Sequence, residues 1–146
     1  HPEFGNNAQL ALRLGFEVVG QFGEQEIAWH GNLKMPQSLR QLSATVADQL
    51  QRTPLVIGDE NRELRRIAWC SGGAQDYFEQ AIALGVDAFV SGEISEQTVH
   101  LALESGVAYL ACGHHASERY GVTALAAHLN LNCGLQCEFV DLDNPV

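Results

Sequence analysis

The chain has 146 residues, 46% of them hydrophobic, and 18 acidic against eight basic side chains give a formal net charge of −10. A chain of this length can bury a core that supports one domain without disulfides. The negative charge argues against nucleic acid and anionic membrane surfaces as partners. Four scattered cysteines and the lack of an apolar run near the ~20 residues of a membrane span favour a cytoplasmic protein.

The first part of the chain has an irregular pattern of short elements. Hydrophobic spacing and capping residues predict two helices there, separated by short strands around a polar turn. The polar stretch 58–63 is the best candidate for a boundary within the chain. The predicted elements are a helix from Asn6 or Asn7 to Leu14, strands at 16–19, 27–29 and 55–57, and a helix capped by Ser38 that carries Leu39, Leu42, Val46 and Leu50.

From residue 66 onward, apolar runs alternate regularly with helical patterns. Strands that alternate with helices of this length are typical of βαβ units, so the sequence predicts an α/β fold with a largely parallel or mixed sheet. We therefore expect residues 1–146 to form a single α/β unit. The predicted strands are 67–70, 88–90, 107–112 and 137–142, and the predicted helices are 74–84, 95–105 and 116–130.

Small and polar residues follow three of these strands at a spacing of about twenty residues. The three segments are Ser71-Gly72-Gly73, Ser91-Gly92-Glu93 and Gly113-His114-His115. If the strands are parallel, all three loops lie at one edge of the sheet, where open α/β sheets bind ligands. Glu93 could then bind a metal, relay a proton or orient an imidazole, or it could simply neutralise a helix dipole.

His114 and Glu118 are four residues apart at the start of a predicted helix. On a helix they share one face, with about 5–6 Å between their Cβ atoms, which suits one metal ion or a metal pair. An ordinary solvated pair has the same spacing. On a helix His115 points about 100° away from His114, so both can bind metal only from the loop before the first turn.

Other histidines and cysteines have weaker signals. His100 lies between Glu96 and Glu104 on one helix face, which is typical of a solvated surface. His30 and His128 lack a partner at ligand spacing, and we interpret both as structural. Cys133 and Cys137 form a weak zinc signal, and we expect them to be buried thiols instead.

Four segments together resemble the Nif-three-like family, whose members are also labelled GTP cyclohydrolase I type II homologues or dinuclear metal-centre proteins. The resemblance extends through nearly all of the chain. The segments are His1-Pro2-Glu3-Phe4-Gly5-Asn6-Asn7, Arg66-Ile67-Ala68-Trp69-Cys70-Ser71-Gly72-Gly73, Val86-Asp87-Ala88-Phe89-Val90-Ser91-Gly92-Glu93 and Gly113-His114-His115-Ala116-Ser117-Glu118.

The resemblance implies that His114 and Glu118 are ligands of a pair of divalent metals. Bacterial members carry further residues upstream, including a His-His-Gly motif and an aspartate two places before the position of His1, which complete the metal shell. The resemblance thus implies the C-terminal portion of a longer two-domain protein. It also implies a ring-shaped homo-oligomer such as a hexamer. Mixed nitrogen and oxygen ligation would accept zinc, iron, manganese or nickel.

The function implied by the resemblance is that of a metal-dependent hydrolase acting on a small molecule such as a purine nucleotide. His114 and Glu118 would hold metal, and His115 or Glu93 could move protons. The alternative is a non-catalytic metal-binding or protein-interaction module. A catalytic metal usually has three protein ligands and one open position, so two ligands predict weak metal retention by this chain.

Overall fold

A six-stranded mixed sheet organises the chain in the computed structural model, which describes residues 1–142 and 144–146. The strands are β1 (Phe16–Phe22), β2 (Ala28–Ser38), β3 (Leu55–Ile57), β4 (Glu63–Cys70), β5 (Ala88–Ser91) and β6 (Ala108–Ala111). The helices are α1 (Asn6–Leu14), α2 (Leu39–Leu50), α3 (Phe78–Ala83), α4 (Glu96–Ser105) and α5 (His114–Cys133), with 3₁₀ turns at Glu24–Glu26 and Gln75–Tyr77.

The sheet order is β1-β2-β4-β5-β6-β3. Strands β4, β5 and β6 are parallel, whereas β1, β2 and β3 join the sheet through antiparallel pairs. The predicted α/β class with a mixed sheet is therefore confirmed. Cys70 pairs with Ser91 and Ser91 with Ala111, so the carboxyl ends of the three parallel strands are in register. This register brings the three loops that follow them to the same edge.

Helices cover both faces of the sheet, and alternate side chains of β4 pack against the two helix layers. Ile67 and Trp69 pack in the layer with α1 and α2, while Ala68 and Cys70 pack in the layer with α3 and α4. Successive side chains of a strand point to opposite faces, so a strand buried on both faces is continuously apolar. All four side chains are buried. This rigid centre of the sheet positions the loop after β4.

The N-terminal part follows the predicted elements but extends them. Helix α2 begins after Ser38, whose side chain forms a capping box with Gln41. Strands β1 and β2 are longer than predicted because their antiparallel pairing continues through mostly polar residues, among which single apolar side chains such as Phe22 and Leu33 are too sparse to predict a strand. The stretch 58–63 connects β3 to β4 of the same sheet. That this chain is the C-terminal portion of a longer two-domain protein remains a prediction.

Two of the elements predicted after residue 66 differ from the structure. The helix predicted at 74–84 is a 3₁₀ turn followed by the short α3, and the strand predicted at 137–142 is wrong. An isolated segment becomes a strand only where another strand can pair with its backbone. In the described chain this segment instead runs along α5 and is held by side chains, including Asn130, which hydrogen-bonds the backbone of Cys137. No helix in the described residues is long and apolar enough to cross a bilayer.

Candidate metal centre

The loops after β4, β5 and β6 meet through backbone hydrogen bonds. The N–H of Gly92 donates to the carbonyl of Gly72 over 3.0 Å, and the N–H of Gly113 donates to the carbonyl of Gly92 over 2.8 Å. These bonds continue the parallel pattern beyond the strands. The convergence of the loops that the sequence predicts is therefore present, with helix α5 beginning directly at the edge.

His114, Glu118 and Glu93 form a chain of contacts at this edge. Nε2 of His114 lies 3.1 Å from Oε2 of Glu118, and Nδ1 lies 2.6 Å from Oε1 of Glu93. The three side chains are 37–43% exposed, so they are accessible but partly sheltered. The loop after β5 thus contributes a carboxylate on the opposite side of the imidazole from Glu118.

The two carboxylates control the protonation of His114. The hydrogen bond that His114 donates to Glu93 is the main cause that raises the pKa of His114 above its ordinary value, and the nearby charge of Glu118 acts in the same direction. Nδ1–H of His114 donates to Glu93, so Nε2 faces the carboxylate of Glu118. The lone pair of Nε2 and the carboxylate repel each other, and a proton or another cation between these two groups relieves that repulsion. The pair therefore fits a divalent cation chemically.

Glycines allow the close approach of the first turn of α5. Gly72 has φ +68°, and a Cβ there would lie 2.5 Å from Oε1 of Glu118 and 3.1 Å from Nε2 of His114. At Gly92, a Cβ would lie 2.9 Å from Cα of His114. Ser117 fixes the contact, because its hydroxyl donates to the carbonyl of His114 and accepts from the N–H of Gly72.

His115 belongs to a different set of contacts. Its Nε2 lies 2.7 Å from Oδ1 of Asp141, whose other oxygen accepts a 2.8 Å hydrogen bond from Arg119. The hydrogen bond from His115 is the main cause that lowers the pKa of Asp141, and Arg119 adds to it. His115 and His114 line the same cleft of about 430 Å³. Their rings have different partners, in keeping with the prediction that neighbouring side chains on a helix point about 100° apart.

Several of the other histidines and cysteines lie away from the His114–Glu118 pair. His100 is exposed on α4, while the ring of His128 packs at a tilt against that of Phe4 and contacts Asn132. The expectation that Cys133 and Cys137 are buried is wrong, since Cys133 is exposed and Cys137 half-buried. In the described part of the chain the end of α5 is exposed, which leaves these cysteines outside the core.

Cys70 and Cys112 are the buried thiols instead. They lie at the ends of β4 and β6, inside the helix layers. Burial raises the pKa of Cys112 to about 12 and also raises the pKa of Cys70. Both thiols therefore stay protonated and unreactive in the native protein.

Asn7 is a site residue that the sequence reasoning assigned only as a helix cap. The cap is Gly5, and the buried Asn7 side chain accepts from the N–H of Ser71 over 2.9 Å and donates to the carbonyl of Ile27 over 2.7 Å. It therefore ties the loop after β4 to the turn between β1 and β2. The signal that could have revealed it is the pair Asn6-Asn7 after a glycine that itself can cap a helix.

Glu118 lies between two clefts. One, of about 320 Å³, is bordered by Asn7, Gln25, Trp29 and Ser71, and the other is the cleft lined by His114 and His115. Within residues 1–142 and 144–146, no three His, Cys, Asp or Glu side chains form a group that could hold one metal ion. The geometric reason is that Glu93 and Glu118 contact opposite nitrogens of His114.

The family model described as Duf34/NIF3 (NGG1p interacting factor 3) matches residues 1–145. The chain belongs to the Duf34/NIF3 family. It is 52% identical over 145 residues to a protein of Neisseria meningitidis serogroup B named GTP cyclohydrolase 1 type 2 homolog, and 47% identical over 146 residues to an Escherichia coli K12 protein with the same name. Each alignment covers 99% of this chain and 58% of the relative. The Duf34/NIF3 chain thus spans less than two thirds of the length of these relatives.

Solved structures confirm the fold of this Duf34/NIF3 chain. A structure titled "Structural genomics, protein ybgI, unknown function" superposes with a TM-score of 0.93 at 44% identity, over 100% of this chain and 59% of the other. The protein TTHA1606 from Thermus thermophilus superposes with a TM-score of 0.83 at 26% identity, over 100% and 58%. The family resemblance predicted from the four sequence segments is confirmed.

Proposed function

We propose that His114 and Glu118 are two ligands of a divalent-metal site and that the protein is a metal-dependent hydrolase. The observation that carries the proposal is the arrangement of Nε2 of His114 3.1 Å from Glu118, with the carboxylate of Glu93 on Nδ1. A histidine that binds metal through one nitrogen commonly donates its other N–H to a carboxylate, which fixes the tautomer and ring orientation.

The chain's own residues would divide the work at this site. His114 and Glu118 would bind the metal, which supplies an activated water and polarises the scissile bond. Glu93 would orient the imidazole of His114. For proton transfer, Glu93 would first have to release His114, and His115 would have to release Asp141, since each hydrogen-bonds its partner within 2.7 Å. His115 and Glu93 are therefore candidates for proton transfer only after such a rearrangement.

The site needs ligands beyond these two. A catalytic metal commonly has three protein ligands and an open position. We propose that an upstream His-His-Gly motif and aspartate, of the kind implied by the family resemblance, complete a pair of metals. Zinc, iron, manganese and nickel all suit nitrogen and oxygen ligands. Since relatives are named GTP cyclohydrolase 1 type 2 homolog, hydrolysis of a purine nucleotide is the proposed reaction.

A second candidate function is a non-catalytic metal-binding module within a homo-oligomeric ring. Its support is a pair of apolar side chains one turn apart on α5, Val122 and Leu125, which are 55% and 43% exposed. Exposed apolar side chains grouped on one element are typical of an interface. A location in the cytoplasm, where cysteines stay reduced, is part of either proposal.

The experiment measures metal content and hydrolysis together. The protein, with any upstream segment that its coding sequence supplies, is compared with Glu118→Ala and with the control Glu104→Ala, which removes an exposed carboxylate from α4. Plasma mass spectrometry gives metal per chain, and nucleotides and phosphoesters serve as substrates. We expect Glu118→Ala to lose metal and turnover together. Metal-dependent assembly without turnover would favour the module, and full metal retention by Glu118→Ala would refute both proposals.

A further inference from the structure

A second cleft borders Glu118 and has features that metal binding does not require. This cleft, which we call the amide cleft, has a volume of about 320 Å³, and its lining includes Asn6, Gln21, Gln25, Trp29 and Glu118. The volume is within the range of small-molecule sites. Because Glu118 forms part of its wall, a ligand bound there would lie next to the proposed metal site.

One wall of the amide cleft is a turn with an unusual backbone. Gln25 and Glu26 have φ values of 54° and 57°, which non-glycine residues rarely adopt. The turn is held from both sides, since Gln21 donates to the carbonyl of Glu26 over 3.1 Å and Asn7 donates to the carbonyl of Ile27 over 2.7 Å. Such conformations persist where the surroundings impose them and are concentrated at binding sites.

Several hydrogen-bonding groups of the amide cleft have no partner in the described part of the chain. They are the side-chain amide of Gln25, Nδ2 of Asn6 and the indole N–H of Trp29. Side-chain amides offer a donor and an acceptor side by side, and a half-buried indole offers a flat apolar face. The cleft therefore combines a stacking surface with neutral hydrogen-bonding groups.

The charge of the cleft selects against anions. Among the residues that the structure describes, His1 is the one basic side chain that lines it, whereas Glu26 and Glu118 contribute two carboxylates. Arg52 and Arg119 line a different cleft, of about 370 Å³, beside His115. A phosphate or carboxylate group would therefore be repelled from the amide cleft. The part of a ligand that enters it should be uncharged.

We infer that the amide cleft binds an uncharged heteroaromatic ring of the purine or pyrimidine type, with Gln25 as a specificity-determining residue. Such rings stack on aromatic side chains, and their edges present the adjacent donors and acceptors that a glutamine or asparagine amide matches. The inference rests on the proposed function, because the ring would belong to a substrate bound next to the proposed metal site. It adds the place where the ring of the ligand binds and the residues that recognise it.

Trp29 provides a direct readout. Trp69, the other tryptophan, is fully buried, but its ring centroid lies 6.2 Å from that of Trp29, so the two indoles exchange excitation and a ligand on Trp29 should quench their shared fluorescence. The probes are adenosine, guanosine, cytidine and uridine, which carry no phosphate, with glucose as a polar ligand that lacks an aromatic ring. We expect at least one nucleoside to quench Trp29 saturably and glucose to have no effect.

Gln25→Gly tests the recognition without endangering the fold. Glycine adopts positive φ readily, so the variant removes the amide while relieving the backbone. We expect nucleoside affinity to fall about 5- to 10-fold, in keeping with the loss of one or two hydrogen bonds, with the melting temperature unchanged or raised. Gln51→Gly is the matched control, because Gln51 also has a positive φ of 53° but caps α2 outside the cleft.

The outcomes separate this inference from the proposed function. Equal nucleoside affinity in Gln25→Gly and Gln51→Gly, quenching by glucose alone, or no quenching by any nucleoside would overturn the ring assignment. Metal content is measured on the same samples and should not change in either glutamine variant. If His114→Ala retains metal while the nucleosides still quench Trp29, the metal proposal fails and the ring assignment stands.

Discussion

Oε1 of Glu93 lies 2.6 Å from Nδ1 of His114, on the opposite side of the imidazole from Glu118. Glu93 lies in the loop after β5, and His114 begins helix α5 after the neighbouring parallel strand β6. A carboxylate in this position fixes which nitrogen of His114 faces the cleft. The contact with Glu93 thus holds the imidazole of His114 in one orientation, which an isolated histidine–glutamate pair on a helix would not do.

The negative charge of Glu93 should therefore contribute more to metal affinity than the shape of its side chain does. Glu93→Gln can still accept a hydrogen bond from Nδ1–H, but it no longer stabilises the imidazole with a full charge. We expect the affinity for zinc or manganese, measured by calorimetry, to fall about 10-fold or more. Glu96→Gln removes an exposed charge from the start of α4 and is the control. Equal affinities in the two variants would show that Glu93 has no orienting role.

The absence of a side chain at Gly72 should be required for metal binding. An alanine there would bring its Cβ to 2.5 Å from Oε1 of Glu118, at a φ of +68°. Gly15→Ala is matched to it, since Gly15 has φ +70° with nothing within 4 Å of the added Cβ. Both variants should lose about 1–2 kcal/mol of unfolding free energy from backbone strain, measured by urea denaturation.

Only Gly72→Ala should also displace Glu118. We expect its metal content to drop well below that of the wild type while Gly15→Ala keeps its metal. If the two alanine variants bound metal equally, the close packing of Gly72 against Glu118 would not be part of the site.

The docking of the C-terminal segment should depend on Asp141. His115 and Arg119 lower the pKa of this carboxyl, so the ionised form is favoured when the segment is docked. The stabilisation is then fully present above the ordinary aspartate pKa of about 3.9 and is lost as the pH falls through the lowered value. Amide NMR signals of residues 137–142 should shift toward those of a free segment in this acidic range.

Asp141→Asn provides the comparison at neutral pH. Its segment should give the signals of the undocked state at pH 7, where the wild-type segment is still docked. Unchanged signals in Asp141→Asn would mean that contacts other than the carboxylate hold the segment in place.

The four thiols should fall into two reactivity classes. Cys133 and Cys137 are exposed or half-buried, whereas Cys70 and Cys112 are buried and their pKa values are raised, that of Cys112 to about 12. We expect Ellman's reagent at pH 8 to label the first two rapidly and the last two only in denaturant. Fast labelling of a third thiol in the native protein would contradict the burial of the strand ends.

The sequence alone determined most of the local elements and, to within one residue, where the three parallel strands end. Hydrophobic runs report burial on both sheet faces, and glycines and small residues mark the loops after β4, β5 and β6, so the approach of His114, Glu118 and Glu93 could be predicted. The four-residue spacing of His114 and Glu118 already placed both on one face of α5. These features depend on residues that are close together in the sequence, so the spacing of hydrophobic and small residues predicts them.

The tertiary structure alone decided which partner each polar side chain has. It assigned Glu93 to Nδ1 of His114, turned His115 toward Asp141, and placed Asn7 between two loops. It also left residues 137–142 without a strand partner in the described chain. Such outcomes depend on hydrogen bonds between residues 20 or more positions apart, and the geometry of those bonds is set by the packing of whole elements, which no local pattern in the sequence records.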